Sequence, residues 1–537
     1  MSAALWLPPL AGLGASVALE GLLRPHVRPP WRRPPATLCL HGGSWLLLFA
    51  LCLLAVQRPW FATGGLLALQ LVVVQSSNVK SRTLNEPFIC QDFEYFVDAL
   101  RHPRLYVPFF GIGLALAAST AAALAIGAFL WWEPSLASRL GVGPFLAATS
   151  ALGMIALPLL WLGLRRLPAP ALEPQADLAR LGLVGALWAY GRLALQPLSS
   201  TLPASPFVPP PRRPISGRLP DLVVVQNESF FDPRPWCPLV RPDLLPHFDV
   251  LCAEALYQGP LVVPAWGANT VRTESAFLTG LDPEQLGIHR FNPYRQLARR
   301  PVPSLVANLR RLGYRTVCLH PYPATFYQRH RVMPRLGFEQ FLDDADFAPG
   351  DREGQYVGDL AVAERVARLL REGRDERPLF LFVITMENHG PLHLERPVPE
   401  DAYARLTAQA TRSPDHDDLA IYLRHLANAD RMIARLRQAL TAHSRPGLLC
   451  WYGDHVPILP EAYGRHGPPD GHTHYAIWSP RASGSAAPRQ RPVADLGPLL
   501  QETLLDMATP TGQERPAPRR PRSGFKEDPV RSGARDD

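Results

Sequence analysis

A chain of 537 residues is longer than one ordinary domain, so its sequence predicts at least two folded parts. The formal net charge of +8 does not indicate nucleic-acid binding, because the polar half of the chain carries no Lys/Arg cluster with interleaved aromatic residues. The seven cysteines are odd in number and include no CxxC pair, which excludes a disulfide framework and a cysteine-based zinc site.

The first 200 residues carry a series of apolar runs that predict membrane-spanning helices. About 20 apolar residues are needed to cross the hydrocarbon layer, and several runs approach this length once their apolar flanks are included. Arg165 and Arg166 close the fifth run, and Arg192 weakens a sixth. Residues 1–200 are therefore predicted to form a helical membrane domain with five or six spans. The runs are Leu5–Leu23, Ser44–Val56, Trp60–Val74, Tyr106–Trp131, Phe145–Leu164 and Leu181–Leu198.

The basic residues between the runs bear on orientation. Arginines follow the first run, and Lys80 and Arg82 follow the third, so the positive-inside rule places both loops in the cytoplasm and the N-terminus outside. Six spans then leave the rest of the chain outside, and five spans from an inside N-terminus do the same. We expect a multi-pass protein of the cell membrane whose polar part is extracytoplasmic. The polar, aromatic loop 78–104 fits an interfacial segment near lipid headgroups or an ordinary connection equally well.

The remaining chain divides into three parts. Residues 201–220 are proline-rich and predict a semi-rigid linker. Between residues 221 and 510 short apolar segments alternate with helical patterns, which predicts a mainly parallel sheet covered by helices on both faces. Residues 511–537 have almost no apolar content and predict a disordered tail.

Four apolar segments of residues 221–510 are followed closely by an acidic residue or a histidine. In parallel sheets covered by helices, ligands bind beyond the carboxyl ends of the strands. Four such endings at one edge are more than chance would supply, so this edge is predicted to be the functional site. The residues at these ends are Glu228, His320, Glu387, His389, Asp454 and His455.

The stretch 267–280, GANTVRTESAFLTG, places the hydroxyl of Thr270 in the first turn of a predicted helix. Free backbone N–H groups and the helix dipole favour phosphate at such a position. With the Thr270 oxygen, the side chains of Glu228, Asp454 and His455 supply three oxygens and one nitrogen, a set suited to Mn²⁺, Mg²⁺ or Zn²⁺. Such a metal would lower the pKa of the hydroxyl and turn it into a usable nucleophile.

Five segments of this part of the chain resemble motifs of the alkaline phosphatase/sulfatase superfamily. Within it, they are most similar to the lipoteichoic acid synthase and phosphoglycerol transferase branch, whose N-terminal membrane helices fit the apolar runs. The segments occur in the family's order, and together they are specific although each alone is weak. They are QNESFFD (226–232), GANTVRTESAFLTG (267–280), HPYPATFYQR (320–329), MENHGP (386–391) and YGDHVP (452–457).

The resemblance implies a sulfatase-like α/β domain and one catalytic ion, Mn²⁺ or Mg²⁺, held by Glu228, Thr270, Asp454 and His455. It implies that Thr270 attacks the phosphodiester of phosphatidylglycerol and that diacylglycerol leaves. The phosphoglycerol group then passes from the threonine to a hydroxyl of a cell-envelope glycan or a glycerol-phosphate acceptor.

Arg329, His320 and His389 are suited to binding phosphate oxygens or a leaving group. By the resemblance, His389 and Arg329 contact the phosphoryl group, and His320 lies near the glycerol. The sequence departs from the synthases at Asn269 and at residues 271–273, where it is nearer to the transferases that modify periplasmic glucans.

Four other classes of protein share part of this sequence pattern or chemistry. A formylglycine sulfatase needs a C/S-x-P-x-R pattern, which the nucleophile stretch lacks. A phosphoethanolamine transferase shares the threonine–metal chemistry, but its motif is not seen around Thr270. A phosphodiesterase that passes the group to water differs only in the acceptor, and a non-catalytic lipid-binding pseudoenzyme would have lost a ligand or the nucleophile. The sequence therefore predicts a metal-dependent phosphoglycerol transferase, with a hydrolase as the main alternative.

Overall fold

The protein is described by a computed structural model. The predicted tail 511–537 and most of the predicted linker 201–220 lie outside the described residues, so both stay predictions. The described residues are 3–95, 101, 112–197, 205–207, 217–372, 376–409, 411–482, 484 and 487–509.

The N-terminal part forms helices at the positions of the apolar runs. Several begin at a proline, which lacks the N–H group that the first helical residue would leave unpaired in any case. The helices are α1 (Ala3–Leu19), α2 (Pro35–Val56), α3 (Pro59–Leu84), α4 (Ile112–Trp132), α5 (Leu136–Leu140), α6 (Val142–Arg166) and α7 (Pro174–Ala194).

Within the described residues, three of these helices, α2, α3 and α6, are long and apolar enough to cross a membrane. They carry exposed apolar side chains such as Leu51, Val72 and Trp161. In water this surface would be unfavourable, so these helices are those of a membrane protein. The predicted number of five or six spans stays a prediction.

The C-terminal part contains a mixed, largely parallel sheet of eight strands in the order β10-β2-β9-β8-β1-β7-β3-β4. Only β9 runs antiparallel to both of its neighbours, β2 and β8. The remaining strands, β5 and β6, form a separate hairpin. The strands are β1 (Asp221–Asn227), β2 (Tyr257–Val262), β3 (Arg315–Leu319), β4 (Gln340–Leu342), β5 (Arg352–Glu353), β6 (Tyr356–Val357), β7 (Leu379–Ile384), β8 (Gly447–Gly453), β9 (Thr473–Trp478) and β10 (Arg491–Pro492).

Helices cover both faces of this sheet, as the sequence predicts. Alternate residues of β1 enter opposite cores, with Val223 and Val225 in one and Leu222 and Val224 in the other. The helices are α8 (Pro246–Glu254), α9 (Thr270–Thr279), α10 (Tyr294–Leu297), α11 (Leu305–Arg311), α12 (Arg329–Leu336), α13 (Asp359–Arg371), α14 (Glu400–Leu406), α15 (Asp417–Ala442), α16 (Pro460–His466) and α17 (Val493–Met507).

Gly453 ends β8 next to Asp454, where the chain after β1 passes very close. A Cβ atom on Gly453 would lie 1.8 Å from the carbonyl oxygen of Phe230, a clash with backbone that cannot rotate away. We expect Gly453→Ala to lower the free energy of unfolding by about 3 kcal/mol or more. The matched control is Gly464→Ala, because nothing lies within 4 Å of that position in α16. Denaturant unfolding of the full chain measures both, and equal stabilities would contradict this account.

Candidate metal and phosphate site

Glu228, Asp454 and His455 come together at one edge of the sheet. β1 and β8 are adjacent parallel strands, so the residues that follow their carboxyl ends are neighbours. Nε2 of His455 lies 3.4 Å from Oδ2 of Asp454 and 3.6 Å from Oε1 of Glu228. All three side chains are buried, and each offers a ligand atom within 4.8 Å of the other two. Among the described residues this arrangement suits one small cation.

The hydrogen bonds within the described residues leave one atom of Asp454 and one of His455 without a hydrogen-bond partner, while Oε1 of Glu228 accepts a bond of 2.9 Å from Oγ of Ser229. Oδ1 of Asp454 accepts bonds from the backbone N–H groups of Ser229 (2.8 Å) and His455 (2.9 Å). Nδ1 of His455 lies 3.1 Å from the Val456 carbonyl, so it donates there and Nε2 keeps its lone pair. Oδ2 of Asp454 and Nε2 of His455 have no partner although both are buried. Such atoms are unfavourable unless a cation satisfies them.

The electrostatics of the site also fit a cation. Burial, followed by the nearby charge of Asp454, raises the pKa of Glu228 to about 8. Two buried carboxylates therefore repel each other in the absence of a positive ion. The set of two carboxylate oxygens and one imidazole nitrogen fits Mn²⁺, Mg²⁺ or Zn²⁺, as the sequence predicts.

Thr270 is the first residue of α9 and is largely buried. The N–H group of Gly267 donates to the carbonyl of Val456 at 3.1 Å. One turn into the helix, Oγ1 of Thr273 donates to the carbonyl of Asp454 at 2.8 Å. The start of α9 is thus tied, before and after Thr270, to the segment that carries Asp454. The role of Thr270 as nucleophile and fourth ligand stays a prediction.

Arg329 is buried and paired with Glu274, a residue of α9. Its Nη2 lies 2.9 Å from Oε2 of Glu274, and its Nε lies 3.3 Å from Oε1. Tyr294 donates its hydroxyl to the same carboxylate. Sequence reasoning missed Glu274. The available signal was an acidic residue four positions after Thr270 in the same predicted helix, next to the apolar residues Ala276, Phe277 and Leu278.

His320 is buried and His389 is partly buried, and the environments of both favour the neutral form. Burial, and then the charge of Arg329, holds the pKa of His320 well below its usual value. Nε2 of His320 lies 3.1 Å from Nη1 of Arg329. Burial also lowers the pKa of His389, although its bond to the Gly390 carbonyl, 2.7 Å from Nδ1, opposes this. The charge of Asp454 raises the pKa of His389 and the charge of Arg329 lowers it.

Glu387, the other residue at a strand end, does not join the metal cluster. Its carboxylate accepts bonds from the Asp359 backbone N–H (2.5 Å), from Asn428 (2.6 Å) and from Nδ1 of His425 (2.7 Å). Burial would lower the pKa of His425, but the bonds and charges of Glu387 and Glu395 overcome this and raise it to about 9. Glu387 therefore anchors the loop that carries His389 to α13 and α15.

Strained backbone conformations flank several of the predicted site residues. Left-handed φ angles cost non-glycine residues about 1–3 kcal/mol and concentrate at functional sites. One such residue follows Glu228, one precedes Thr270, and two precede Arg329. They are Ser229 (φ 55°), Asn269 (φ 65°), Tyr327 (φ 52°) and Gln328 (φ 57°).

Comparisons with known proteins find chains that are similar to parts of this one. The capsular polysaccharide biosynthesis protein RkpI of Rhizobium meliloti (strain 1021) is 36% identical over 242 residues, which are 45% of this chain and 42% of that protein. This chain therefore spans less than half the length of that relative. The Streptococcus pyogenes phosphoglycerol transferase GacH superposes with a TM-score of 0.44 at 21% identity, covering 55% of this chain and 76% of that one.

The integral membrane lipooligosaccharide phosphoethanolamine transferase EptA from Neisseria meningitidis superposes with a TM-score of 0.56 at 13% identity. The superposition covers 94% of this chain and 96% of EptA, so the two share the order of a helical membrane domain followed by an α/β domain. The model of the Sulfatase family matches residues 220–501, more than half of the chain. This match confirms the superfamily resemblance predicted from the sequence motifs: the chain belongs to the sulfatase family.

Proposed function

We propose that this protein is a metal-dependent transferase that moves a phosphoglycerol group from a phosphatidylglycerol-type lipid to a hydroxyl of a cell-envelope glycan or polymer. The observation that carries the proposal is the convergence of Glu228, Asp454 and His455 beside the start of the Thr270 helix, with metal-facing atoms left unpartnered. The choice of phosphoglycerol rests on the five sequence motifs. The relative named for capsular polysaccharide biosynthesis supports a glycan acceptor.

The reaction would take place in two displacements at phosphorus. The Thr270 oxygen forms a bond to phosphorus while the bond to diacylglycerol breaks, and the hydroxyl proton ends on the leaving oxygen. An acceptor hydroxyl then forms the new bond to phosphorus, and the threonine oxygen leaves and regains a proton. A divalent cation held by Glu228, Asp454 and His455 would supply the charge that lowers the pKa of the hydroxyl.

The remaining residues bind and orient the donor in this proposal. The free N–H groups at the start of α9 and the guanidinium of Arg329 attract phosphate oxygens. His389 and His320, neutral in their buried surroundings, contact the phosphoryl group and the glycerol without adding charge. The proposal places this domain on the extracytoplasmic side of the membrane, where envelope glycans are modified.

The covalent intermediate gives the direct test. Full-length protein in vesicles containing phosphatidylglycerol and Mn²⁺ is expected to gain the mass of one phosphoglycerol group, and Thr270→Ala is expected to gain none. Intact-protein mass spectrometry measures the adduct.

Vesicles of phosphatidylethanolamine serve as the parallel donor, and an adduct from these alone would replace phosphoglycerol by phosphoethanolamine as the transferred group. Steady formation of diacylglycerol and glycerol phosphate, with water as the only acceptor, would identify a hydrolase. Turnover by Thr270→Ala at the wild-type rate would overturn the mechanism.

A further inference from the structure

The catalytic domain contacts the membrane domain at the nucleophile helix itself. Arg272 lies two residues after Thr270 and is 9% exposed. Its Nη1 and Nη2 donate to the two carboxylate oxygens of Glu86, at 2.9 and 3.0 Å. Glu86 lies two residues after the end of α3. A bidentate ion pair therefore joins the end of a predicted membrane span to the first turn of α9.

Glu86 is itself held in place by the membrane domain. Nζ of Lys80 lies 2.6 Å from Glu86 and 2.8 Å from Asp92. Asp92 accepts a bond of 2.7 Å from the backbone N–H of Ile89, which fixes the loop. Burial would raise the pKa of Glu86, but Arg272 and Lys80 overcome it and bring the pKa down to about 2. The carboxylate therefore stays charged, and Lys80 holds it from the membrane domain while Arg272 holds it from α9.

The same segment of the membrane domain touches the other side of Thr270. A Cβ atom on Gly267 would lie 3.1 Å from the Thr83 carbonyl and 3.2 Å from the Leu84 side chain. Further along the loop, the ring of Tyr95 packs edge-on against Tyr327, two residues before Arg329, with the ring centroids 5.7 Å apart. The segment Thr83–Tyr95, which we name the docking loop, therefore contacts two of the regions that carry predicted site residues.

We propose that Glu86 is a positioning residue for the transfer reaction: through Arg272 it fixes the first turn of α9. The proposal rests on the assignment of Thr270 as nucleophile. A reacting oxygen displaced by about 1 Å costs about 100-fold in rate. An ordinary docking contact would hold the domains together without setting the position of Thr270.

The structure offers a matched control for this distinction. Glu94, in the same docking loop, pairs with Arg295 at 2.6 Å and accepts a bond of 2.7 Å from Asn292. These partners belong to the catalytic domain but lie outside α9. Glu86→Gln and Glu94→Gln thus remove the same charge from the same interface, and only the first removes a direct ion-pair partner of a side chain in α9.

The test uses the full chain in phosphatidylglycerol vesicles with Mn²⁺. We expect Glu86→Gln to lower kcat 10- to 100-fold, with KM and the Mn²⁺ affinity within about threefold of wild type. Glu86→Asp, which keeps the charge, is expected to retain at least about five times the rate of Glu86→Gln. Glu94→Gln is expected to stay within about threefold of wild type. Equal losses in Glu86→Gln and Glu94→Gln, or none in Glu86→Gln, would overturn the proposal.

Hydrogen exchange supplies a readout that does not depend on activity. Glu86→Gln is expected to speed amide exchange in residues 267–280, and Glu94→Gln is not. If wild-type protein forms no adduct, the proposed function fails, while this measurement still decides whether Glu86 orders the helix. Unchanged exchange there in Glu86→Gln would overturn the positioning role. If Glu86→Gln does not fold, the double variant Glu86→Gln/Arg272→Gln replaces it, because this variant leaves no unpaired charge. We expect the double variant to show the same loss of rate and the same faster exchange. A double variant without these changes would also overturn the positioning role.

Discussion

Asp454→Asn is expected to abolish metal binding and to lower turnover by at least about 1000-fold, or about 4 kcal/mol of transition-state stabilisation, in a protein that still folds. The two carboxylate oxygens of Asp454 have different hydrogen-bond environments. Oδ1 accepts two backbone N–H bonds, and an asparagine oxygen can take its place. Oδ2 is buried and unpartnered, and an amide NH₂ there would face a cation with hydrogens instead of a lone pair. The substitution therefore removes a ligand and spares the scaffold.

Asp430→Asn is the matched control for this prediction. Asp430 is also buried and accepts backbone bonds, from Phe248 at 2.7 Å and His247 at 3.2 Å, but it is no part of the metal cluster. Added Mn²⁺ at 100 times its Kd should stabilise wild type and Asp430→Asn by about 2.7 kcal/mol, and Asp454→Asn by almost nothing. Metal content and denaturant unfolding provide the two readouts. An Asp454→Asn protein with full metal content would show that the cluster is not the catalytic metal site.

The sequence was sufficient for the parts of the molecule that depend on local pattern. Alternating apolar segments and helices predicted the covered, largely parallel sheet, and the endings of two of those segments predicted the approach of Glu228, Asp454 and His455. Glu228 and Asp454 lie 226 residues apart, yet both follow apolar segments that prove to be neighbouring parallel strands. The antiparallel strand β9 was not predicted, because its direction depends on which strands it pairs with.

The unpredicted parts of the site depend on contacts between distant segments. No local pattern links Arg272 to Glu86, which are 186 residues apart and lie in different domains. The loop after α3 fitted an interfacial segment or an ordinary connection equally well, and the structure adds a third role, contact with α9. Glu274 was visible as a charge in a buried helix, but its partner Arg329 lies 55 residues further on. Such pairings follow from the three-dimensional packing and not from periodicity.

Two charged residues of the Thr270 helix form ion pairs with other parts of the protein. Arg272 pairs with the membrane domain, and Glu274 pairs with Arg329 inside the catalytic domain. Two buried ion pairs in one ten-residue helix are costly to desolvate, so packing alone would not favour them over apolar residues. They define one orientation of the helix, which is what a nucleophile at its first residue requires.

Glu274→Gln is expected to lower the free energy of unfolding by about 3–5 kcal/mol, because it leaves the guanidinium of Arg329 buried without a counter-charge. Glu274 and Arg329 are 0% and 1% exposed, so water cannot replace the missing carboxylate. The contrast is Asp243, whose pair with Arg241 is on the surface and screened by water, and Asp243→Ala is expected to leave stability almost unchanged. Denaturant unfolding of the full chain measures both.

A triple variant then separates the structural task of Arg329 from its proposed catalytic one. Glu274→Leu, Arg329→Met and Tyr294→Phe together replace the ion pair, and the hydroxyl that donates to it, by apolar groups of similar size. Because apolar replacement of a whole buried pair is often neutral, most of the lost stability should return. Transfer should not return, since no guanidinium remains to bind the phosphoryl group. A triple variant that regains both stability and wild-type turnover would show that Arg329 serves only to neutralise Glu274.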